Sequence, residues 1–222
     1  MALFDDEDKK QIIRAFYIPA FLLYVMWMVR IIEWLWGISF ATYGINPRNV
    51  EGLIGIALSP FIHASFNHLI NNSVPLFVLT ASILYFYKPI ALRTLLFIWI
   101  ITGLCVWIIG RNSYHIGASG LIYGEAAFLF FSGVIRRNIT LLAISLLTVF
   151  LYGGMIWGIF PIDMKISWES HLFGGLTGII LAFIYAEKGP KKEEKVWEEE
   201  PDDDPYWEVK EEDIVENKSE TL

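Results

Sequence analysis

The chain has 222 residues, 55% hydrophobic and 16% aromatic, with 18% charged and a mean hydropathy of +0.48. A soluble domain carries about 45–50% apolar and about 25% charged residues, so the composition excludes an ordinary soluble domain and describes a membrane protein. The charge is segregated: residues 187–222 hold 15 acidic and 6 basic side chains, net −9, which leaves +2 on the body of a chain whose total is −7. Cys105 is the single cysteine, which excludes an internal disulfide, and no cofactor, metal ion or nucleic acid is expected as a partner.

Residues 1–14 are expected to form a cytoplasmic N-terminal segment. The first apolar run, residues 15–38, is too long for a signal peptide and lacks a small-residue cleavage site, so it is expected to stay as a membrane anchor. Arg30 and Glu33, three apart near its far end, can pair on one face or extend to the interface. Residues 39–60 read as a long loop. Its apolar half, 52–58, is too short to span a bilayer and is expected to lie in the interface or against the bundle.

A second helix over 66–87 is unusually polar at its start and is ended by Lys88-Pro89, and a third covers 91–109. Residues 111–117 form the loop before Ser119, and a fourth helix runs from 119 to 135, closed by Arg136-Arg137. A fifth covers 139–159, a loop follows over 160–167, and a sixth covers 168–186. The fold class expected is an all-α, polytopic bundle of six transmembrane helices over residues 15–186. Residues 187–222 are expected to be an acidic, disordered cytoplasmic tail, because their composition cannot bury a core. Near the helix ends, the N-terminal, second-to-third, fourth-to-fifth and C-terminal segments hold eleven Lys and Arg. The remaining loops hold Arg48, Arg111 and Lys165. By the positive-inside rule both termini are cytoplasmic, and helices 2, 4 and 6 begin toward the outer face.

Those three helix starts carry the polar residues that need explaining. His68 and Asn72 are four apart, so on a helix they share one stripe. Gly117-Ala118-Ser119-Gly120 sets a serine between glycines where a polar loop enters an apolar helix, with Tyr123 one turn below Ser119. His171, Gly174 and Gly178 put a histidine on a glycine face, and Gly120 and Gly124 offer the matching small face on helix 4. Helices 4 and 6 are therefore expected to pack closely, with Ser119 and His171 near the outer end. The 16 residues from 120 to 135 span about 24 Å, less than the roughly 30 Å hydrocarbon core, which sinks the serine below the outer surface. Ser65, Asn67, Asn71 and Ser73 point to a hydrated cavity at that depth. Ionisable groups inside a membrane are costly and tend to be functional. Packing alone does not call for His68, Asn72, Ser119 and His171 at one level. Glu125, inside helix 4, has no partner assignable from the sequence.

These motifs resemble those of the rhomboid family of intramembrane serine proteases. The resemblance covers about residues 44–186, through His-x4-His-x3-Asn (His63, His68, Asn72), Gly-x-Ser-Gly followed by Tyr (Gly117, Ser119, Gly120, Tyr123) and His-x2-Gly-x3-Gly (His171, Gly174, Gly178). It implies a Ser119/His171 catalytic dyad, an oxyanion site using His68, Asn72 and the Ser119 backbone N–H, and Tyr123 packed on His171. The implied substrates are transmembrane proteins cut near the outer face, and the implied location is a bacterial inner membrane. The chain departs from many rhomboids in having no Trp-Arg pair in the first outer loop. No folded domain before helix 1 and no seventh span after helix 6 are expected. Chemically, the residues suit acyl transfer: His171 accepts the Ser119 proton, and donors at His68 and Asn72 stabilise the oxyanion. Two other readings compete. A rhomboid-like pseudoprotease would usually lack the Ser or the His, and both are present. A small transporter would show repeats or broken helices, and neither is evident.

Overall fold

The computed structural model describes residues 6–151, 157–162 and 166–190. Among them are seven α-helices and no strand: α1 (Asp6–Trp36), α2 (Ile54–Leu58), α3 (Phe66–Phe86), α4 (Ala91–Ile109), α5 (Ser119–Arg136), α6 (Ile139–Leu151) and α7 (Trp168–Ile184). Helices α1, α3 and α4 are each long and apolar enough to cross a membrane.

Local chemistry sets several of these ends. Ser65, extended at φ −152°, caps α3 by accepting the His68 N–H at 3.1 Å, and Asn138 Oδ1 accepts the Leu141 N–H at 3.0 Å at the start of α6. Arg137 stops α5 in the left-handed region at φ 53°, its N–H returning to the last turn. Ala118, which precedes α5, gives no side-chain cap. The first N–H groups of the helix that begins with Ser119 are thus left without a side-chain acceptor from that position.

Helix α5 is the hub. Eleven of its 18 residues are buried, and it packs on α3, α4, α6 and α7, most extensively on α7. The α5/α7 contact is made by glycines, as their spacing predicts. A Cβ on Gly174 would meet the Gly120 backbone (3.3 Å from Cα), and one on Gly178 that of Gly124 (2.9 Å from its carbonyl carbon). Leu76, Leu79, Ile98, Phe128, Leu129 and Leu181 fill the core around this seam. α1 lies outside, against α3.

The first loop folds back on the bundle, as its short apolar half predicts. Residues Val50–Leu53 and Ser59–Phe61 form 3-10 turns on either side of α2, which packs on α4, where Ile56 lies against Gly103. In the absence of a Trp-Arg pair, the loop is held by other bonds. Trp99 Nε1 donates to Ile56 O (2.7 Å), Trp107 Nε1 to Asn49 O (2.8 Å) and Arg48 Nη1 to Gly110 O (2.7 Å). Glu33 pairs with Arg30 at 3.0 Å, as their spacing allows, and accepts the Phe40 N–H at 2.7 Å where α1 ends.

Two helices differ from their sequence-based ranges by more than two residues. α1 begins at Asp6 rather than residue 15, so the segment 6–14 is helical. The helix expected over 139–159 is described only as α6, Ile139–Leu151. Residues 152–156 lie outside the described residues, and Trp157–Ile159 form a 3-10 turn. A carbonyl inside a continuous helix is taken by the N–H four residues on, whereas one in a short turn is free for a side chain. The expected loop at 160–167 is described at 160–162 and 166–167, and of the acidic tail only residues 187–190 are described.

Candidate active site

Three segments converge at the start of α5. The loop before Ser119 reaches Gly117 at φ +105°, a left-handed conformation open to glycine, and its N–H donates to Ser59 O at 2.8 Å. The His68 ring lies where a side chain on Gly117 would be, 2.9 Å from its Cβ position to Nε2, so the residue must be glycine on two counts. Ser119 follows as the first residue of α5, partly accessible beside the partly accessible His68.

Ser119 Oγ lies 2.7 Å from His171 Nε2, and His171 Nδ1 lies 2.8 Å from the Gly158 carbonyl oxygen. A carbonyl only accepts, so the proton of the neutral ring sits on Nδ1, and Nε2 is the lone-pair nitrogen facing the serine hydroxyl. The Tyr123 ring stacks on His171 with centroids 4.1 Å apart and planes 6° from parallel. The imidazole is thus fixed in tautomer by Gly158 and in plane by Tyr123. A Cβ on Gly158 would lie 2.9 Å from His171 Nδ1 and against the Tyr123 hydroxyl, so the close approach of this turn requires glycine.

The second polar stripe lies alongside. His63 is buried, its ring edge-on to His68 with centroids 4.9 Å apart, and its Nε2 accepts the Ala118 N–H at 3.5 Å. Burial, reinforced by the His68 and Arg30 charges, pushes the His63 pKa down to about 3, so the ring is neutral. Asn72 is buried and donates one amide N–H to the His68 carbonyl at 2.9 Å. Its amide nitrogen carries a second N–H. Beside Gly117, Gly120 and Ser170 a cavity of about 20 Å³ reaches to Trp99 and Thr102, room for about one water. Among the described residues no group of His, Cys, Asp and Glu could hold a metal ion.

A Rhomboid domain model matches residues 50–188. The chain belongs to the rhomboid family. Its relatives include an uncharacterized protein of Mycobacterium tuberculosis, 34% identical over 174 residues that cover 72% of this chain and 70% of the relative. An uncharacterized protein of Mycobacterium leprae is 31% identical over 82% and 74% of the two chains. A Bacillus subtilis protein named a putative rhomboid protease is 25% identical over 71% and 79%. With its long apolar helices, this rhomboid is an integral membrane protein.

Every residue singled out by the rhomboid motifs lies around this centre: Ser119, His171 and Tyr123 in direct contact, His68 and His63 against the serine loop, Asn72 one turn below His68, and Gly120, Gly174 and Gly178 in the seam beneath. Two further groups escaped the sequence. The Gly158 carbonyl carries no side-chain signal, and residue 158 reads as the interior of an apolar run. His115 stands in the polar loop two residues before Gly117, with no helical spacing to give it a partner; its proximity to the glycine-serine motif was the available clue. Glu125 proves to be fully buried, accepting the Thr80 hydroxyl at 2.7 Å and so tying α5 to α3.

Proposed function

We propose that this rhomboid is an active intramembrane serine endopeptidase that cuts transmembrane proteins near the outer face of the membrane. The observation that carries the reading is the ring of His171, hydrogen-bonded to Ser119 Oγ through one nitrogen and to the Gly158 carbonyl through the other. An inactive family member has no need of an imidazole pinned in the tautomer a general base requires.

In the proposed reaction Ser119 Oγ forms a bond to the scissile carbonyl carbon as its proton passes to His171 Nε2. The resulting imidazolium keeps its Nδ1–H on the Gly158 carbonyl, a dipole in the position that a carboxylate holds in a triad. The tetrahedral oxyanion is stabilised by the uncapped N-terminus of α5, including the Ser119 N–H, by His68 and by the free N–H of Asn72. Collapse expels the amine, which takes the proton from His171. Water, activated by the same ring, then hydrolyses the acyl-serine. Tyr123 holds the ring plane, and Gly117, Gly120, Gly174 and Gly178 permit the close approaches.

The decisive experiment measures cleavage of a single-pass membrane substrate and labelling by a fluorophosphonate. Ser119→Ala and His171→Ala are expected to abolish cleavage while thermal unfolding in detergent stays cooperative, and the probe is expected to label wild type at Ser119. His68→Ala and Asn72→Ala are expected to retain activity lowered about 10²- to 10³-fold in kcat, the usual effect of losing one oxyanion donor. Undiminished cleavage by Ser119→Ala ends the reading.

The accompanying topology has six spans, α1, α3, α4, α5, α6 and α7. Both termini are cytoplasmic, in a bacterial inner membrane. In a Cys105→Ser background, a cysteine at Lys195 is expected to react with an impermeant thiol reagent only after cells are opened. Reaction in intact cells overturns the orientation.

A further inference from the structure

A second polar cluster joins the segment carrying Ser119 to the helix carrying His171. Its centre is His115, 2% exposed. The main chain at this residue is already held by two hydrogen bonds to Ile45, at 3.0 and 2.9 Å, so the imidazole is not required to pin its own loop. Nε2 of the ring lies 3.1 Å from the Arg111 carbonyl and Nδ1 lies 2.6 Å from Ser167 Oγ. Burial holds the ring's ionisation below the usual imidazole range. In the neutral ring the carbonyl takes the Nε2 proton, which leaves Nδ1 to accept from the Ser167 hydroxyl. Ser170 Oγ, 2.6 Å from Ser167 Oγ, then donates to it. Glu169, 3% exposed, accepts the Arg111 N–H at 3.3 Å, has Arg111 Nε at 3.6 Å and brings its other oxygen to 4.0 Å from His115 Nδ1. Arg111 Nη2 also donates to the Ile166 carbonyl at 2.5 Å.

The cluster has a direct line to the base. The carbonyl of Ser167 accepts the backbone N–H groups of Ser170 (3.1 Å) and His171 (3.4 Å), so a shift of Ser167 is a shift of the turn that carries His171. On the other side, His115 is two residues from Gly117 and three from Ala118, which immediately precedes α5. The Ser119–His171 bond cannot fix this geometry alone, because its proton moves in every turnover. The glycine seam controls how closely α5 and α7 lie, and it leaves the outer end of α7 to be set by whatever holds Ser167.

We propose that His115, bonded to Ser167 and braced by the Arg111–Glu169 pair, is a positioning residue that sets the register of His171 against Ser119. It touches neither substrate nor the reacting atoms. The proposal rests on the dyad reading above and adds to it a clamp that stays intact while the dyad's proton is transferred.

The test compares purified full-length wild type with His115→Ala, Ser167→Ala, Ser167→Thr and the double variant His115→Ala/Ser167→Ala. The readouts are kcat, KM, the rate of fluorophosphonate labelling and thermal unfolding. Small misplacements remote from the chemistry can lower rates about 10²-fold. His115→Ala is expected to lower kcat and labelling together by about 10- to 100-fold, with KM changed less than about twofold. Ser167→Ala should move the same quantities in the same direction, Ser167→Thr should restore them by replacing the hydroxyl, and the double variant should be no slower than His115→Ala, as for groups acting as one unit. If His115→Ala does not fold, the Ser167 pair decides. A lower unfolding temperature with unchanged kcat, losses that multiply in the double variant, or failure of Ser167→Thr to recover overturns the clamp while leaving the dyad standing. A wild type inert to both substrate and probe overturns both.

Discussion

Along α5 and α7 the contact is backbone on backbone, with Gly174 against Gly120 and Gly178 against Gly124, whereas α1 meets α3 through rings. Phe16 and Phe77 lie 5.2 Å apart, Trp27 and Trp34 sit 6.3 and 6.4 Å from Phe66, and the Arg30 guanidinium stands 5.2 Å over the same Phe66 ring. Side chains can change rotamer and re-pack; a peptide group facing a peptide group has nothing to move except the helix. The first seam joins the two helices that bear Ser119 and His171, whose oxygen and nitrogen must stay within hydrogen-bond reach. The second carries a helix with only Ala15, Pro19, Met26 and Glu33 buried among its 31 residues. The rigid contact lies where the proposed chemistry calls for sub-ångström placement.

The sharpest way to break this contrast uses two adjacent glycines. A methyl at Gly174 runs into the Gly120 backbone, while one at Gly175 meets nothing within 4 Å. Gly174→Ala is expected to lower stability by about 1–3 kcal/mol through overpacking. It should also reduce turnover at least about tenfold, since moving α7 displaces His171. Gly175→Ala is expected to be neutral or to gain up to about 1 kcal/mol of helix propensity, with turnover unchanged. Unfolding and cleavage measured side by side decide it, and equal effects at the two positions remove the distinction between the seams.

A smaller effect on turnover is expected from Phe66→Ala, which removes the ring shared by Trp27, Trp34 and Arg30. Aromatic pairs contribute about 0.5–1.5 kcal/mol each and an exposed cation–π contact about 0.5–1, so a loss of about 1.5–4 kcal/mol is expected. The loss should appear in unfolding far more than in kcat. A Phe66→Ala protein of wild-type stability but severely reduced kcat means that the α1/α3 seam positions the chemistry, contrary to this account.

What could be read from the sequence follows the same division. Spacing along one helix is local, so the stripe of His68 and Asn72, the pairing of Arg30 with Glu33 and the glycine faces of α5 and α7 could all be foreseen before any contact was known. Hydrophobicity gave the ranges of α4 and α5 to within a residue. It ran too far at the end of 139–159, where an apolar run reads as one helix and the chain instead turns at Trp157–Ile159 to aim the Gly158 carbonyl at His171. A backbone acceptor has no residue type to betray it. His115, Ser167 and Glu169 were equally hidden, because their meeting depends on the tertiary approach of a loop to a helix start. The first loop lacked its expected Trp-Arg pair, yet Arg48, Trp99 and Trp107 anchor it through carbonyls that sequence spacing cannot assign.

The smallest effect belongs to Trp27→Phe, and it tests whether the ring seam depends on any one bond. Trp27 Nε1 donates to Ser73 Oγ at 3.1 Å, but the Ser73 hydroxyl has its own acceptor, the Leu69 carbonyl at 2.8 Å. Removing the indole N–H therefore strands no donor, and the shorter ring still faces Phe66. Interhelical hydrogen bonds inside membranes average about 0.6 kcal/mol, so the expected loss is of that order, with kcat and KM unchanged. Unfolding of wild type and Trp27→Phe in one detergent measures it directly. A loss above about 2 kcal/mol, more than the largest single bond of this kind, would make the ring seam as unforgiving as the glycine seam. Adaptability would then no longer separate α1 from the pair of helices that bears Ser119 and His171.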